Sequence, residues 1–322
     1  MAEQVLARSI DDFFLRCGLS VEDKHECFSL VALWHPGSLI VPATGQGYCS
    51  LTLLVGDNKV IQFRPPCYEL DLSITEAARD VYGQFAPSTT CIGTIPASDL
   101  LVYSMDRVEG LSLRDFRETR DLLPYEYLEK ICKDFAVFLS NAWKHHGGIQ
   151  MPAGTVGRTI IPRLTALSEQ LPNRFRPTAR RLLKNISQVN ALPWVLTHGD
   201  ITAGNMMIDP SSGRLRGLVD WAEAEVLPFG ISIYGLEEII GDMTPAGFRY
   251  QDASALRTVF WNELTAQLPE LRQREVLEAV KHARDLGVLL WHGIAFDDGA
   301  INRVVEEGRD FEEICRLDAF LD

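Results

Sequence analysis

The sequence predicts a two-lobe α+β fold, with a small antiparallel-β lobe followed by a larger, mainly helical one. Three observations carry this. Strand-like segments crowd into residues 38–64, apolar residues beyond Gly110 recur at helical steps of three and four, and a short extended island from Trp194 to Val219 breaks the helical run. A chain of 322 residues has ample length for two cores of ordinary size. The change of pattern near Arg107 sets the expected lobes at 1–106 and 107–322.

Taken in order, Ser9 with Asp12 and Ser20 with Asp23 each fit a helix N-cap with an acid three residues later, and His35-Pro36-Gly37 stops the apolar surface of Phe28, Val31 and Leu33. Helices are therefore expected to open the fold. Leu39–Val41, Cys49–Val55 and Val60–Phe63 are the expected strands, the last two joined by the turn chemistry of Gly56-Asp57-Asn58. Asp71 to Tyr82 reads as a helix, and Leu100 to Tyr103 as a short buried strand. In the second lobe Leu128, Ile131, Cys132, Phe135, Phe138, Leu139 and Ala142 share one face of a core helix. The island supplies three short strands, Trp194–Thr197, Asn205–Ile208 and Leu215–Val219, with Ser211-Ser212-Gly213 between the last two. From Ile231 to Asp322 the pattern reads as helical throughout, broken at Pro245 and Pro269.

Composition narrows the function. With 46% hydrophobic and 23% charged residues, and no apolar run near the roughly 20 residues of a membrane span, the chain is not expected to cross a bilayer. Met1 to Asp12 lack the pattern of a secretory signal, and the seven scattered cysteines include no C-x-x-C pair. They read as reduced thiols, and a cytoplasmic location is expected. A net charge of −13 repels polyanions, so neither nucleic acid nor an anionic membrane is an expected partner. Cationic ligands stay open.

The chemistry concentrates in the island. It holds His198-Gly199-Asp200-Ile201-Thr202-Ala203-Gly204-Asn205, with Asp220-Trp221 after the hairpin. An Asp five residues before an Asn, and a second Asp at the end of the next hairpin, is the spacing that sets a base beside a divalent metal in phosphoryl transfer. That reaction needs a carboxylate within reach of the attacking hydroxyl and hard oxygen ligands for Mg²⁺. Asp200 suits the first role, Asn205 and Asp220 the second. His198 is a weaker candidate, as a proton carrier or as a brace for the loop through its imidazole. The alternative for all three polar groups is ordinary turn chemistry, which Asx residues often perform.

The motif "LTHGDITAGNMMID…GRLRGLVDW" resembles the aminoglycoside phosphotransferase and choline kinase family, and the likeness runs from about Ile40 to Gly235. The resemblance implies a protein-kinase-like fold binding ATP and Mg²⁺, with Asp200 as catalytic base and Asn205 and Asp220 as metal ligands. It makes Thr44 to Ser50, with Gly45, Gly47 and Ser50, the loop over the phosphates. It also makes Tyr103 to Gly110 the inter-lobe hinge, where Met105, the Asp106 carbonyl and the Val108 amide meet the nucleotide base. Glu76 would pair with a cation gripping the phosphates. The family's strand cation is expected after two apolar residues, where this chain has Gln62; Arg64 lies two residues on and shares its face.

From Trp221 to Asp322 there are 20 acidic and 9 basic side chains, most of the chain's net charge. In the family this region forms the acceptor pocket, so an acidic pocket favours a cationic small-molecule hydroxyl acceptor. Runs such as Glu306-Glu307 and Glu312-Glu313 equally fit solvated helix faces. Trp261 and Trp291 can cage a cation or belong to the core. Two other functions stay open: a kinase-like binder that transfers nothing, prompted by Gln62, and a kinase fold turned to other biosynthetic chemistry. The sequence leaves the acceptor's identity, ATP versus GTP, and monomer versus dimer undecided.

Overall fold

The computed structural model describes residues 2–120, 122–148, 151, 153–297 and 300–321. The chain divides into two compact units, the first made of Met1–Gly110 with Arg216–Ala222, the second of Leu111–Leu215 with Glu223–Asp322. The change of unit thus falls just beyond Arg107, and a seven-residue segment carrying Asp220 joins the first unit.

In the first unit, α1 (Ala2–Arg16) and α2 (Val21–Trp34) precede five antiparallel strands. The box at Ser20 forms as expected: its hydroxyl accepts from the Asp23 amide and the Asp23 carboxylate from the Ser20 amide. Ser9 is no cap, because α1 runs through it; Ile10, Phe13 and Phe14 continue the buried stripe on its far side. The strands β1 (Ile40–Pro42), β2 (Leu51–Val55), β3 (Lys59–Arg64), β4 (Thr89–Ile95) and β5 (Leu100–Asp106) lie in the order β1-β2-β3-β5-β4. Alternation sends Leu51, Leu53, Ile61, Phe63 and Val102 into one core with Phe13, Cys27 and Val31 of the two helices. Thr52, Gln62 and Arg64 point to the other face. Between β3 and β4, α3 (Leu72–Tyr82) is capped by Asp71, whose carboxylate accepts from the Ser73 amide.

The second unit is mainly helical. It comprises β6 (Leu111–Ser112), α4 (Leu113–Glu118), α5 (Tyr125–Lys144), α6 (Thr155–Gln170) and α7 (Arg176–Asn190). The strands β7 (Trp194–Thr197), β8 (Met206–Ile208), β9 (Leu215–Leu218) and β10 (Glu225–Pro228) come next along the chain. With β9 the chain passes into the first unit. The predicted stripe of α5 is buried along its length. Asp134 on the same helix is also buried; its carboxylate accepts from the Leu215 amide and pairs with Arg214, fixing the end of the hairpin between β8 and β9.

The remainder is α8 (Gly235–Ile240), β11 (Gly241–Thr244), β12 (Gly247–Tyr250), α9 (Ala253–Gln267), α10 (Arg274–His292), β13 (Ile294–Asp297), β14 (Ala300–Val304) and α11 (Phe311–Phe320). The expectation of helix throughout this region is corrected by two hairpins. Pro245 sits in the turn of the first, between Thr244 and Gly247, rather than in a helix break. The six-residue α8 is buried on all sides. Glu237 accepts from Arg257 and Arg284, Glu238 pairs with Arg316, and Arg117 donates to the Glu238 and Ile239 carbonyls at the helix end. Among the described residues no helix is long and apolar enough to cross a membrane.

Candidate active site

The loop between β7 and β8 places Asp200 and Asn205 together. The Asn205 Nδ2 donates to both the backbone carbonyl and the Oδ2 of Asp200, each at 2.9 Å. Among the described residues the Asn205 Oδ1 has no hydrogen-bond partner, so its amide oxygen is available as a hard ligand. Three further contacts hold the loop. The Asp200 amide donates to His198 Nδ1 at 3.3 Å, the Ile201 amide to the Tyr234 hydroxyl at 2.9 Å, and the Arg114 amide to the Ala203 carbonyl at 3.0 Å. His198 is fully buried and bonded to its own loop, the geometry of a brace. Burial, together with the nearby charge of Asp200, holds the Tyr234 phenol well above its usual range, so it remains a neutral hydroxyl.

Gly199 is what lets the chain turn here. Its φ is +83°, and a Cβ would lie 1.9 Å from the Glu223 carbonyl oxygen. No side chain fits such a site. Gly204 has a milder reason: a Cβ there would lie 3.0 Å from the Arg114 guanidinium.

Within the first unit, Asp220 stands beside Arg64, with Nη2 to Oδ1 at 3.6 Å. Arg64 is 5% exposed; its Nε donates to Gln62 Oε1 and its Nη1 to the Tyr68 carbonyl. Asp220 has a φ of 64°, a left-handed conformation that costs a non-glycine residue energy and recurs at functional sites. Trp221 anchors the segment, packed against Tyr82 with ring centroids 5.0 Å apart. Of the two candidates on β3, Arg64 therefore carries the charge toward Asp220, and Gln62 lies behind it. Glu76 is exposed on α3 and is not among the partners of Arg64, so the expected acid–cation pair is not formed.

The turn from Thr44 to Ser50 is closed by a side chain from within it. Gln46 donates to the Ala43 and Thr52 carbonyls and accepts from the Thr52 amide. A Cβ on Gly45 would meet nothing within 4 Å, and one on Gly47 only the Ser50 hydroxyl at 3.5 Å, so the glycines leave open space above the turn. Ser50 is buried, its Oγ 3.5 Å from that of Thr52. At the end of β5, Lys59 pairs with Asp106, the Arg107 amide donates to the Asn58 carbonyl, and Met105 is half-buried. Among the described residues the Val108 amide has no partner. A cavity of about 200 Å³ beside this segment is lined by Asp106, Val108 and Arg107 among others. A larger groove of about 620 Å³, between α7 and the start of α10, touches none of the candidate residues. Size is thus a poor guide to the site here; the polar geometry is a better one.

Glu225, from the segment after Asp220, accepts from the Val156 and Gly157 amides and closes the N-terminus of α6. Trp291 stacks on Tyr234 at 5.3 Å and Trp261 packs edge-on against Phe260. Sequence reasoning did not find Tyr234, Gln46, Thr52 or Arg114. Their roles come from contacts between distant segments, which no spacing along the chain announces; only the paired glycines at 199 and 204 hint that something approaches the loop closely.

Residues 102–230 match the model of the phosphotransferase enzyme family. That span runs from β5 through the Asp200 loop to Asp220 and Gly230. Among solved structures, a point mutant of aminoglycoside 2'-phosphotransferase-IIIa in complex with GDP superposes with a TM-score of 0.57 at 14% identity, covering 84% of this chain and 89% of that one. The GDP and kanamycin complex of APH(2")-IIia gives a TM-score of 0.52 at 13% identity, covering 82% and 90%. No curated protein sequence matches the chain. The protein thus has a kinase-like phosphotransferase fold, and its resemblance to the aminoglycoside phosphotransferase and choline kinase family holds.

Proposed function

We propose that this protein is a small-molecule kinase that moves the γ-phosphoryl group of ATP to a hydroxyl, with Asp200 as the base. The observation that carries the reading is the bond from Asn205 to Asp200 in a loop braced from three sides, within the segment matching the phosphotransferase family. Phosphoryl transfer asks little covalent chemistry of a protein; it asks for reacting groups held in place and for fixed charge where charge develops. Asn205 fixes the plane of the Asp200 carboxylate, which accepts the hydroxyl proton as the oxygen attacks phosphorus and the bond to ADP breaks.

Asn205 and Asp220 supply the kind of hard oxygen that Mg²⁺ takes, and one or two such ligands suffice when phosphates and water complete the shell. Bound there, the ion would neutralise negative charge on the phosphates. Arg64 would grip the same phosphates, and the turn at Gly45 and Gly47 would cover them. The segment from Met105 to Val108 would receive the base. Nucleotide complexes of the structural neighbours support this arrangement.

The acceptor is a small hydroxyl compound, and a cationic one is the reading the kanamycin-bound neighbour favours. The acidic surplus itself argues less for it, because Glu237, Glu238, Asp285 and Asp310 are engaged by arginines. A library of hydroxyl metabolites incubated with γ-labelled ATP and Mg²⁺ tests the proposal. Label is expected in one class of product. Asp200→Asn should lower kcat about 10³-fold while ATP binding by calorimetry persists. Equal loss of binding and turnover in a folded variant would remove Asp200 from the role of base.

A further inference from the structure

One face of the first unit's sheet carries an unbroken chain of polar contacts. Gln46 Oε1 accepts from the Thr52 amide at 2.9 Å, Thr52 Oγ1 accepts from Gln62 Nε2 at 3.0 Å, and Gln62 Oε1 accepts from Arg64 Nε at 2.7 Å. Thr52 and Gln62 are direct partners across β2 and β3, so strand register itself sets this spacing. A second bond, from Arg64 Nη1 to the Tyr68 carbonyl at 3.2 Å, fixes the plane of the guanidinium. With Nε and one Nη1 proton committed, the Nη2 edge is the one turned to Asp220.

We propose that Gln62 is a positioning residue. It aims the Arg64 fork at the nucleotide phosphates and ties that aim to the glycine turn through Thr52. The inference rests on the kinase reading above and deepens it. Position 62, where the family resemblance expects the cation, has become the bracket for a cation two residues further on. Glutamine suits this task because it accepts from the guanidinium and donates to the hydroxyl at the same time. Leucine does neither, and lysine would set a second positive charge beside a buried arginine.

Four variants, Q62E, Q62L, Q62K and R64A, separate the possibilities through calorimetric titration with Mg²⁺-ATP and thermal melts. Q62E keeps the acceptor for Arg64 and can accept from the Thr52 hydroxyl, so its ATP affinity should stay within about threefold of the parent protein. Q62L leaves the Arg64 Nε unpaired, so its melting temperature should fall, but at a titration temperature where it is fully folded it should still bind ATP about tenfold more weakly. Q62K should bind no better than Q62L although it restores the family's lysine. If R64A weakens binding while Q62L does not, or if Q62K binds more tightly than the parent, the positioning role is overturned and the kinase reading stands. If all the Gln62 variants lose affinity in step with melting temperature, Gln62 is merely structural. Failure of the parent protein to bind Mg²⁺-ATP would overturn the kinase reading, and this inference with it.

Discussion

The Asp200 loop and the glycine turn at Thr44 to Ser50 are both irregular, both polar, and built on opposite plans. The Asp200 loop is held from outside: Tyr234 takes the Ile201 amide and the Arg114 amide takes the Ala203 carbonyl, with Asn205 closing the ring. The glycine turn is held from inside, by three hydrogen bonds of its own Gln46. The difference reflects which atoms act. Under the proposed function, a side chain would carry the chemistry in the first loop, so other elements fix the backbone beneath it. In the second the backbone would face the phosphates, which leaves a side chain to serve as scaffold.

The contrast breaks most severely at Gly199. Gly199→Ala forces a Cβ to 1.9 Å from a backbone oxygen at a φ of +83°, so a loss of about 3 kcal/mol or more is expected in urea melts, and activity with it. Tyr234→Phe removes one outside support. The buried Ile201 amide is left unpaired, which should cost about 1–3 kcal/mol and lower kcat more than the KM for ATP. Gln46→Ala tests the internal plan with the reverse signature: stability should fall by about 1–2 kcal/mol, water replacing part of the three lost bonds, and the KM for ATP should rise with kcat nearly kept. An approximately equal kcat loss in the last two variants would erase the distinction between the loops.

The smallest effect on activity is expected of a control remote from both. The Arg303 guanidinium holds the Asp310 carboxyl down at about 2. A carboxyl depressed in the folded state stabilises above its ordinary value near 4, and that contribution fades as pH falls through the folded value. The stability difference between the parent protein and Asp310→Asn should therefore be constant above about pH 5, shrink as pH falls toward about 2, and lose its charge-dependent part only below that value in urea melts.

The sequence made the β2–β3 pair, α3, α5 and the island legible because their apolar residues repeat at two or at three and four, and their turns are punctuated by Gly and Asn. It concealed β4, whose Thr89-Thr90-Cys91-Ile92-Gly93-Thr94 is largely exposed at the sheet edge and so needs no alternation. The hairpins β11–β12 and β13–β14 were hidden for a related reason: each is a short excursion between helices, and the first buries only Gly241 and Gly247, too few positions to set a period. At the site, Asp200 and Asn205 stand five apart on one loop, and their pairing is a local event that spacing can announce. Gln62 could be seen only as the wrong residue at a cation's position. Its use depends on Thr52 opposite and Arg64 beside it, and Tyr234 is joined to Ile201 from 33 residues away.

The six residues of α8 have a bearing on how the second unit is born. A helix so brief has no persistence of its own in water. Its two acids meet their counter-charges only when Arg257, Arg284 and finally Arg316 have left the ribosome, the last of them 78 positions after Glu238. Until then Glu237 and Glu238 cannot enter an apolar interior without great cost. Burial of α8 with both acids charged and paired is accordingly expected only once α11 is available. A chain ending before Arg316 would keep this helix wet and the scaffold around Tyr234 unfinished.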